Sequence, residues 1–157
     1  MVTPDPNDLN ARVRTRAFSL LAGRELSREQ LRQSLLRAFP DQLATIEHVV
    51  EEFVDKGWQS DERSAELLSH QAQRSGWGPR RLRYQQKKRG LPDSGLPTDI
   101  DWLALAHAQI LRRFGDVPER VESTLRLRIL RFLAGRGFTE EQAHQAYRRW
   151  LETKGVS

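Results

Sequence analysis

The chain has 157 residues, 38% hydrophobic and 30% charged, which suits one ordinary folded domain and excludes wholesale disorder. It has no cysteine, which excludes disulfides and thiol catalysis, and no apolar run approaches the ~20 residues of a membrane-spanning helix. With 26 Lys and Arg against 21 Asp and Glu, the net charge is +5, so we expect an acidic partner: nucleic acid, an acidic protein groove or an anionic membrane.

The first ten residues contain two Pro and two Asp and no apolar signal region. We therefore expect residues 1–10 to be a short flexible lead, and the protein to be cytoplasmic. A helix is predicted over residues 11–22, because Val13, Ala17 and Leu20 fall on one face.

Two further helices are predicted before residue 57. Ser27 and Gln30 have the spacing of a capping box, which predicts a helix that runs to about Ala38. After a break at Phe39-Pro40-Asp41, an apolar stripe predicts a third helix to Lys56.

Two Gly-Trp pairs, Gly57-Trp58 and Gly76-Trp77, bracket a fourth predicted helix that Ser60 can cap. Gly76 can adopt the left-handed turn that ends a helix, and Pro79 suits the first turn of the next, predicted over residues 79–89. A Trp beside such a Gly is either an exposed interaction residue or a pin that packs one helix pair on the next, and we favour packing.

The segment from residue 90 to residue 98 contains two Pro and two Gly, which predicts that it has no regular helix. Three more helices are predicted after it, over residues 101–114, from Pro118 onward, and after a second capping box at Thr139 and Gln142.

Residues 20–37 align without gaps with residues 132–149, and both contain an Ala-Gly-Arg turn followed by a capping box. We interpret this as a duplication of a helix-turn-helix unit. Such units bury their faces against their neighbours, so the predicted fold is all-α, an elongated array of tandem three-helix modules.

No pattern in the chain indicates catalysis or a cofactor. The four His are isolated, without the spacing of a zinc helix, and no nucleophile elbow or phosphate-binding glycine loop is present. Asp61-Glu62 and Glu140-Glu141 fall in first helical turns, where the helix dipole accounts for them. We therefore expect neither an enzyme nor a metal site.

The strongest functional signal is a basic block, because residues 67–92 contain no Asp or Glu. Its candidate binding residues are Arg74, Arg80, Arg81, Arg83, Tyr84, Lys87, Lys88 and Arg89. Cations with an aromatic among them suit phosphate neutralisation and base stacking. A solvated basic face is the alternative, and we favour an interaction face, since uncompensated charges repel one another. A second, weaker cluster comprises Arg112, Arg113, Arg126, Arg128 and Arg131.

The two Gly-Trp segments resemble the RecX family, bacterial regulators of the recombinase RecA. The matching structural residues are Gly57, Trp58, Asp61, Arg63, Gly76, Trp77, Gly78 and Pro79, together with Ala65, Arg81 and Leu82. The resemblance extends over nearly the whole chain.

The resemblance implies three three-helix modules in a curved rod, which we place at residues 11–57, 58–98 and 99–157. RecX relatives usually have a further helix near residues 90–98, so the third helix of the second module is shortened or lost here. It also implies a non-catalytic regulator of recombination, DNA repair and the SOS response. Such a protein binds the RecA filament of protein and single-stranded DNA, and inhibits its ATPase, strand exchange and growth.

A general basic helical nucleic-acid-binding protein is the alternative function. Against it, no predicted helix has the Asn, Gln and Arg mixture of a base-reading helix at its N-terminal end. We expect a monomer without cofactors and without a membrane partner, and, for a regulator of RecA, weak direct binding to DNA besides binding to the filament.

Overall fold

A computed structural model describes residues 5–93 and 95–154. Every regular element in these residues is an α-helix, as predicted, and they contain no strand. The helices are α1 (Pro6–Gly23), α2 (Arg28–Ala38), α3 (Leu43–Asp55), α4 (Asp61–Ser75), α5 (Pro79–Lys88), α6 (Trp102–Phe114), α7 (Ser123–Gly135) and α8 (Glu140–Glu152). Across the described part of the chain, none of them has the length and apolar character needed to cross a membrane.

Two predicted helix starts are wrong. Helix α1 begins at Pro6, because Asp5 accepts a hydrogen bond from the Asn7 amide as an N-cap and Pro6 occupies the first turn. The predicted flexible lead is therefore helical from Pro6 onward, and its residues 1–4 lie outside the described residues.

Helix α7 begins at Ser123 and not near Pro118. The residues before it follow an irregular path, and Val117 and Val121 pack against the core from that path. Burial of these side chains outweighs the preference of Pro118 for a first helical turn.

The described residues form two compact units. The first contains those up to Leu67 together with Gln86–Asp93, and the second contains Leu68–Gln85 together with those after Asp93.

In the first unit, α1, α2 and α3 pack around a core in which Leu31, Leu35 and Phe53 are fully buried. The predicted capping box at Ser27 and Gln30 is present at the start of α2. Four residues of the apolar stripe predicted for α3 lie in this core, namely Ile46, Val49, Val50 and Phe53, whereas Leu43 of the same stripe is exposed.

In the second unit, α6, α7 and α8 surround a core that includes Ile129, Leu133 and Trp150, all fully buried. The predicted capping box at Thr139 and Gln142 starts α8. Between α5 and α6, the described residues contain no helix, as the composition of residues 90–98 predicted.

Candidate functional site

In the first unit, the segment that contains the first Gly-Trp pair docks on the turn before α2. The Gln59 side chain is 2% exposed and donates to the Leu26 carbonyl (3.2 Å) and to Asp61 Oδ1 (3.1 Å). Asp61 Oδ1 also accepts from the Arg28 amide (2.8 Å), so it satisfies a first-turn N–H of α2. Ser64 Oγ donates to the same Leu26 carbonyl (3.2 Å).

The Arg63 guanidinium connects three parts of the first unit. It donates to the carbonyls of Gly57 (3.2 Å) and Trp58 (3.1 Å), and it forms an ion pair with Glu25 (2.9 Å). Gly57 ends the α3 segment with a φ of 72°, which favours glycine. The positive charge of Arg63 is therefore paired with groups of the first unit itself.

In the second unit, the second Gly-Trp pair docks on the duplicated turn before α8. The amide of Gly78 donates to the Arg136 carbonyl (2.8 Å), and the amide of Arg80 donates to the Gly137 carbonyl (2.9 Å). A Cβ at Gly78 would lie 2.2 Å from the Phe138 nitrogen, so the close approach requires glycine at this position.

Helix α4 ends at the predicted left-handed glycine. Gly76 has a φ of 71°, and the amide of Trp77 donates to the Ala72 carbonyl (2.9 Å). Pro79 begins α5 and is buried.

The two motif tryptophans have different environments within their own units. Trp58 contacts the rings of Phe18 and Phe53 at centroid distances of 4.9 and 5.0 Å, yet 38% of it is exposed. Trp77 is 6% exposed and lies under the guanidinium of Arg81 at 4.9 Å. Both therefore pack locally, and Trp58 keeps an accessible edge.

The candidate cations on α5 are exposed and have no carboxylate partner. Among the described residues, no Asp or Glu lies within ion-pair distance of Arg80, Arg81, Arg83, Lys87 or Lys88. Arg74 on α4 is also exposed and has no carboxylate within ion-pair distance among these residues. Tyr84, on the same helix, is 62% exposed. In the first three helices, by contrast, Arg14, Arg28 and Arg32 each pair with a glutamate.

The C-terminal end of α5 is anchored on α2 within the first unit. Ser27 Oγ donates to the Arg89 carbonyl. Gly90 has a φ of 67°, and a Cβ there would lie 2.7 Å from Glu29 Cβ. These contacts hold the side chains of Lys87, Lys88 and Arg89 beside the first turns of α2.

A cavity of about 430 Å³ lies at this junction, and we call it the basic cavity. It is lined by Arg24, Glu29, Gln30, Gln33, Ser34, Arg37, Lys87, Lys88, Arg89 and Gly90. Burial, and then the charge of Arg24, lower the pKa of the Arg89 guanidinium. Repulsion between like charges is therefore built into the cavity.

Sequence reasoning missed Arg24 and Arg37. They are distant in the chain from the basic block, and only the fold brings them beside Lys87 and Lys88. The one available signal was that both recur in the internal repeat, at positions 136 and 149.

The weaker predicted cluster divides into two places in the second unit. The guanidinium groups of Arg113 and Arg128 lie 5.7 and 5.8 Å from the Phe114 ring centroid, so both contact the same aromatic ring. Arg126 instead lies over Tyr147 at 5.8 Å. Arg112 and Arg131 are exposed.

Within residues 5–93 and 95–154, no group of three or more His, Asp or Glu side chains is arranged to hold a metal ion. The arrangement of exposed cations is suited to binding anions.

No family model matches the chain, but its sequence is similar to several proteins that share the same name. Regulatory protein RecX of Acidithiobacillus ferrooxidans is 39% identical over 129 residues, which are 82% of this chain and 84% of the relative. Regulatory protein RecX of Acinetobacter baylyi is 35% identical over 131 residues, 81% of this chain and 80% of the relative. Regulatory protein RecX of Escherichia coli is 30% identical over 156 residues, 90% of this chain and 93% of the relative.

A solved structure, the crystal structure of RecX from Lactobacillus salivarius, has the same fold. It superposes with a TM-score of 0.79 at 15% identity and covers 93% of this chain and 99% of that chain. The identities of 39% and 35% over more than three quarters of each sequence show that the chain belongs to the RecX family of regulatory proteins.

Proposed function

We propose that this protein is a non-catalytic regulator of homologous recombination that binds the RecA nucleoprotein filament and inhibits its ATPase, strand exchange and growth. Membership of the RecX family supports the regulatory role, and the partner is inferred from the resemblance to that family. The structural observation that carries the proposal is the row of exposed cations on α5 without carboxylate partners.

The physical basis is charge complementarity with repeated contacts. A nucleoprotein filament presents DNA phosphates and protein carboxylates again and again along its length. Exposed arginines suit both, because the guanidinium fork binds either group through two hydrogen bonds. Contacts to several neighbouring subunits would add by multivalency, so each single contact need not be strong.

The test replaces three exposed arginines outside the basic cavity, as Arg74→Gln/Arg80→Gln/Arg83→Gln. The control, Arg12→Gln/Arg16→Gln/Arg120→Gln, removes the same charge from exposed positions elsewhere. We expect the first variant to bind RecA filaments and inhibit their ATP hydrolysis about tenfold less well, because it loses the proposed contacts, whereas the control resembles the wild type.

Binding to single-stranded DNA without RecA separates the two functions considered. Under the proposal, the wild type binds filaments much more tightly than bare DNA. Equal binding to both, with no effect on ATP hydrolysis, would reject the proposal in favour of a general nucleic-acid-binding protein.

A further inference from the structure

We propose that the basic cavity of the first unit is a binding site for the phosphodiester backbone of single-stranded nucleic acid. The proposal rests on the function proposed above, because it assigns the nucleic-acid contact of the filament to one cavity. It also adds two residues, Arg24 and Arg37, that lie outside the basic block.

The charges of the lining are strongly unequal. Five cations face the cavity: Arg24, Arg37, Lys87, Lys88 and Arg89. Glu29 is the only carboxylate in the lining, and its Oε1 already accepts from Gln33 Nε2 (2.8 Å) and lies 3.5 Å from Arg32 Nη1. An anion that enters the cavity therefore meets excess positive charge.

Two parts of the lining, the Arg37 side chain and the backbone at the end of α5, are held in place before any ligand arrives. Arg37 Nη2 donates to Ser34 Oγ (3.0 Å), which orients its guanidinium along the wall. On the other wall, the Ser27–Arg89 hydrogen bond and the packing of Gly90 on Glu29 fix the end of α5. Because these groups are already ordered, binding loses less conformational entropy. Burial first, and then the like charge of Arg24, lower the pKa of Arg89, and a bound anion would relieve the repulsion between the two guanidinium groups.

The chemistry of the lining favours a phosphate chain over a nucleotide. Small-molecule sites need apolar or aromatic walls, and the lining has no aromatic or aliphatic side chain to hold a base. The arginines can bind phosphate oxygens through two hydrogen bonds, and the Gln30 amide and the Ser34 hydroxyl are further polar groups in the wall. Such a site reads the backbone and not the base.

The duplicated turn in the second unit uses its equivalent residues differently. Arg136, which aligns with Arg24, donates to the Ser75 carbonyl (2.9 Å) and lies over the Phe132 ring at 5.4 Å. It is therefore committed to the packing of its own unit. In the first unit, Arg24 is exposed and faces the cavity, so the two copies have diverged in what this arginine contacts.

The test is Arg24→Gln/Arg37→Gln in the full-length chain, with fluorescence anisotropy of labelled oligothymidine as the readout. Neither residue is on α5, so that helix keeps its sequence. We expect the Kd at low salt to rise roughly tenfold, and the slope of log K against log salt to shrink by about 1.4 for two lost phosphate contacts. The matched control, Arg12→Gln/Arg16→Gln, loses the same charge outside the cavity and should leave both quantities nearly unchanged.

A second variant approaches the cavity from its other wall. Lys87→Gln/Lys88→Gln should reproduce the loss if the cavity is one site, and circular dichroism checks that each variant keeps its helices. Equal losses in the control variant, or no measurable binding of oligothymidine by the wild type at low salt, would overturn the proposal.

Competition distinguishes the possible anions. Oligothymidine should compete far better than inorganic tripolyphosphate or polyglutamate. Stronger competition by tripolyphosphate would indicate that the ligand is a small polyphosphate, and stronger competition by polyglutamate would indicate that it is an acidic protein. Either result overturns the proposal. If the Arg24/Arg37 variant binds oligothymidine normally while the wild type inhibits RecA, the cavity proposal is rejected and the proposed function is kept. If the wild type does not bind RecA filaments, but the variant binds oligothymidine less well than the wild type, the proposed function is rejected and the cavity remains a nucleic-acid site.

Discussion

Gly78→Ala should strongly destabilise the second unit, because the backbone of the duplicated turn occupies the space where a side chain would begin. A Cβ at position 78 would lie 2.2 Å from the Phe138 nitrogen and 2.4 Å from the Gly137 oxygen. Both are backbone atoms, so no side-chain rotation relieves the overlap. The start of α5 has to move away from the turn.

The size of the effect follows from what that movement breaks. Forcing a methyl group into a packed place costs roughly 1–3 kcal/mol. Two hydrogen bonds, from the amides of Gly78 and Arg80 to the turn, lengthen or break, at about 1 kcal/mol each. We expect a loss of about 3 kcal/mol, which lowers the Tm of a chain of this length by roughly 6–12 °C.

Thermal and urea unfolding, followed by circular dichroism at the helix band, measure the change. Gly135→Ala is the matched control, since Gly135 ends α7 and a Cβ there meets nothing within 4 Å. Alanine there should leave stability unchanged or raise it by up to ~1 kcal/mol. If Gly78→Ala and Gly135→Ala unfold at the same temperature, the docking of α5 on the turn does not contribute to stability as argued.

Three further predictions address stability and local order. Ser27→Ala should lower the free energy of unfolding in urea by about 1 kcal/mol more than Thr139→Ala, because both variants lose a capping box but only Ser27→Ala also loses the hydrogen bond to the Arg89 carbonyl. Equal losses would mean that this hydrogen bond does not contribute to stability. His107 has its pKa lowered from the ordinary 6.5 by burial and then by Arg149, so stability should fall as the pH drops below 6.5 toward the folded-state pKa, and His107→Gln should flatten this dependence. Brief proteinase K digestion should cut first between residues 90 and 98, where the described residues form no helix, and a first cut within α4 would contradict this.

The elements that sequence reasoning predicted correctly depend on signals contained within a few residues. The capping boxes at Ser27 and Thr139 each involve a partner three residues away, and the left-handed turn at Gly76 needs only a missing side chain. The start of α1 had a local signal too, Asp5 followed by Pro6, and it was overlooked. The start of α7 had no such signal, because Glu122 at its N-cap forms no side-chain hydrogen bond, and Val121 packs against the core from outside the helix.

The candidate site shows the same division. The basic residues of α5 share one short helix, so the sequence alone could group them. The basic cavity depends on α2 meeting the end of α5, through a hydrogen bond between Ser27 and Arg89, which are 62 residues apart. No periodicity or spacing in the sequence contains that contact, and Arg24 and Arg37 were therefore missed.

The docking of each Gly-Trp segment on its duplicated turn depends largely on main-chain groups. The carbonyls of Leu26, Arg136 and Gly137 accept the bonds, and in the second unit the donors are also backbone amides. Every residue type supplies a carbonyl, so these hydrogen bonds do not themselves require a particular side chain, although Gly137 must remain glycine because its φ is 95° and a Cβ there would lie 2.6 Å from the Arg81 nitrogen. This helps to explain how a chain at 15% identity keeps the same fold. Evolutionary drift should therefore be slowest at the positions where a side chain must be absent, such as Gly78 and Gly137.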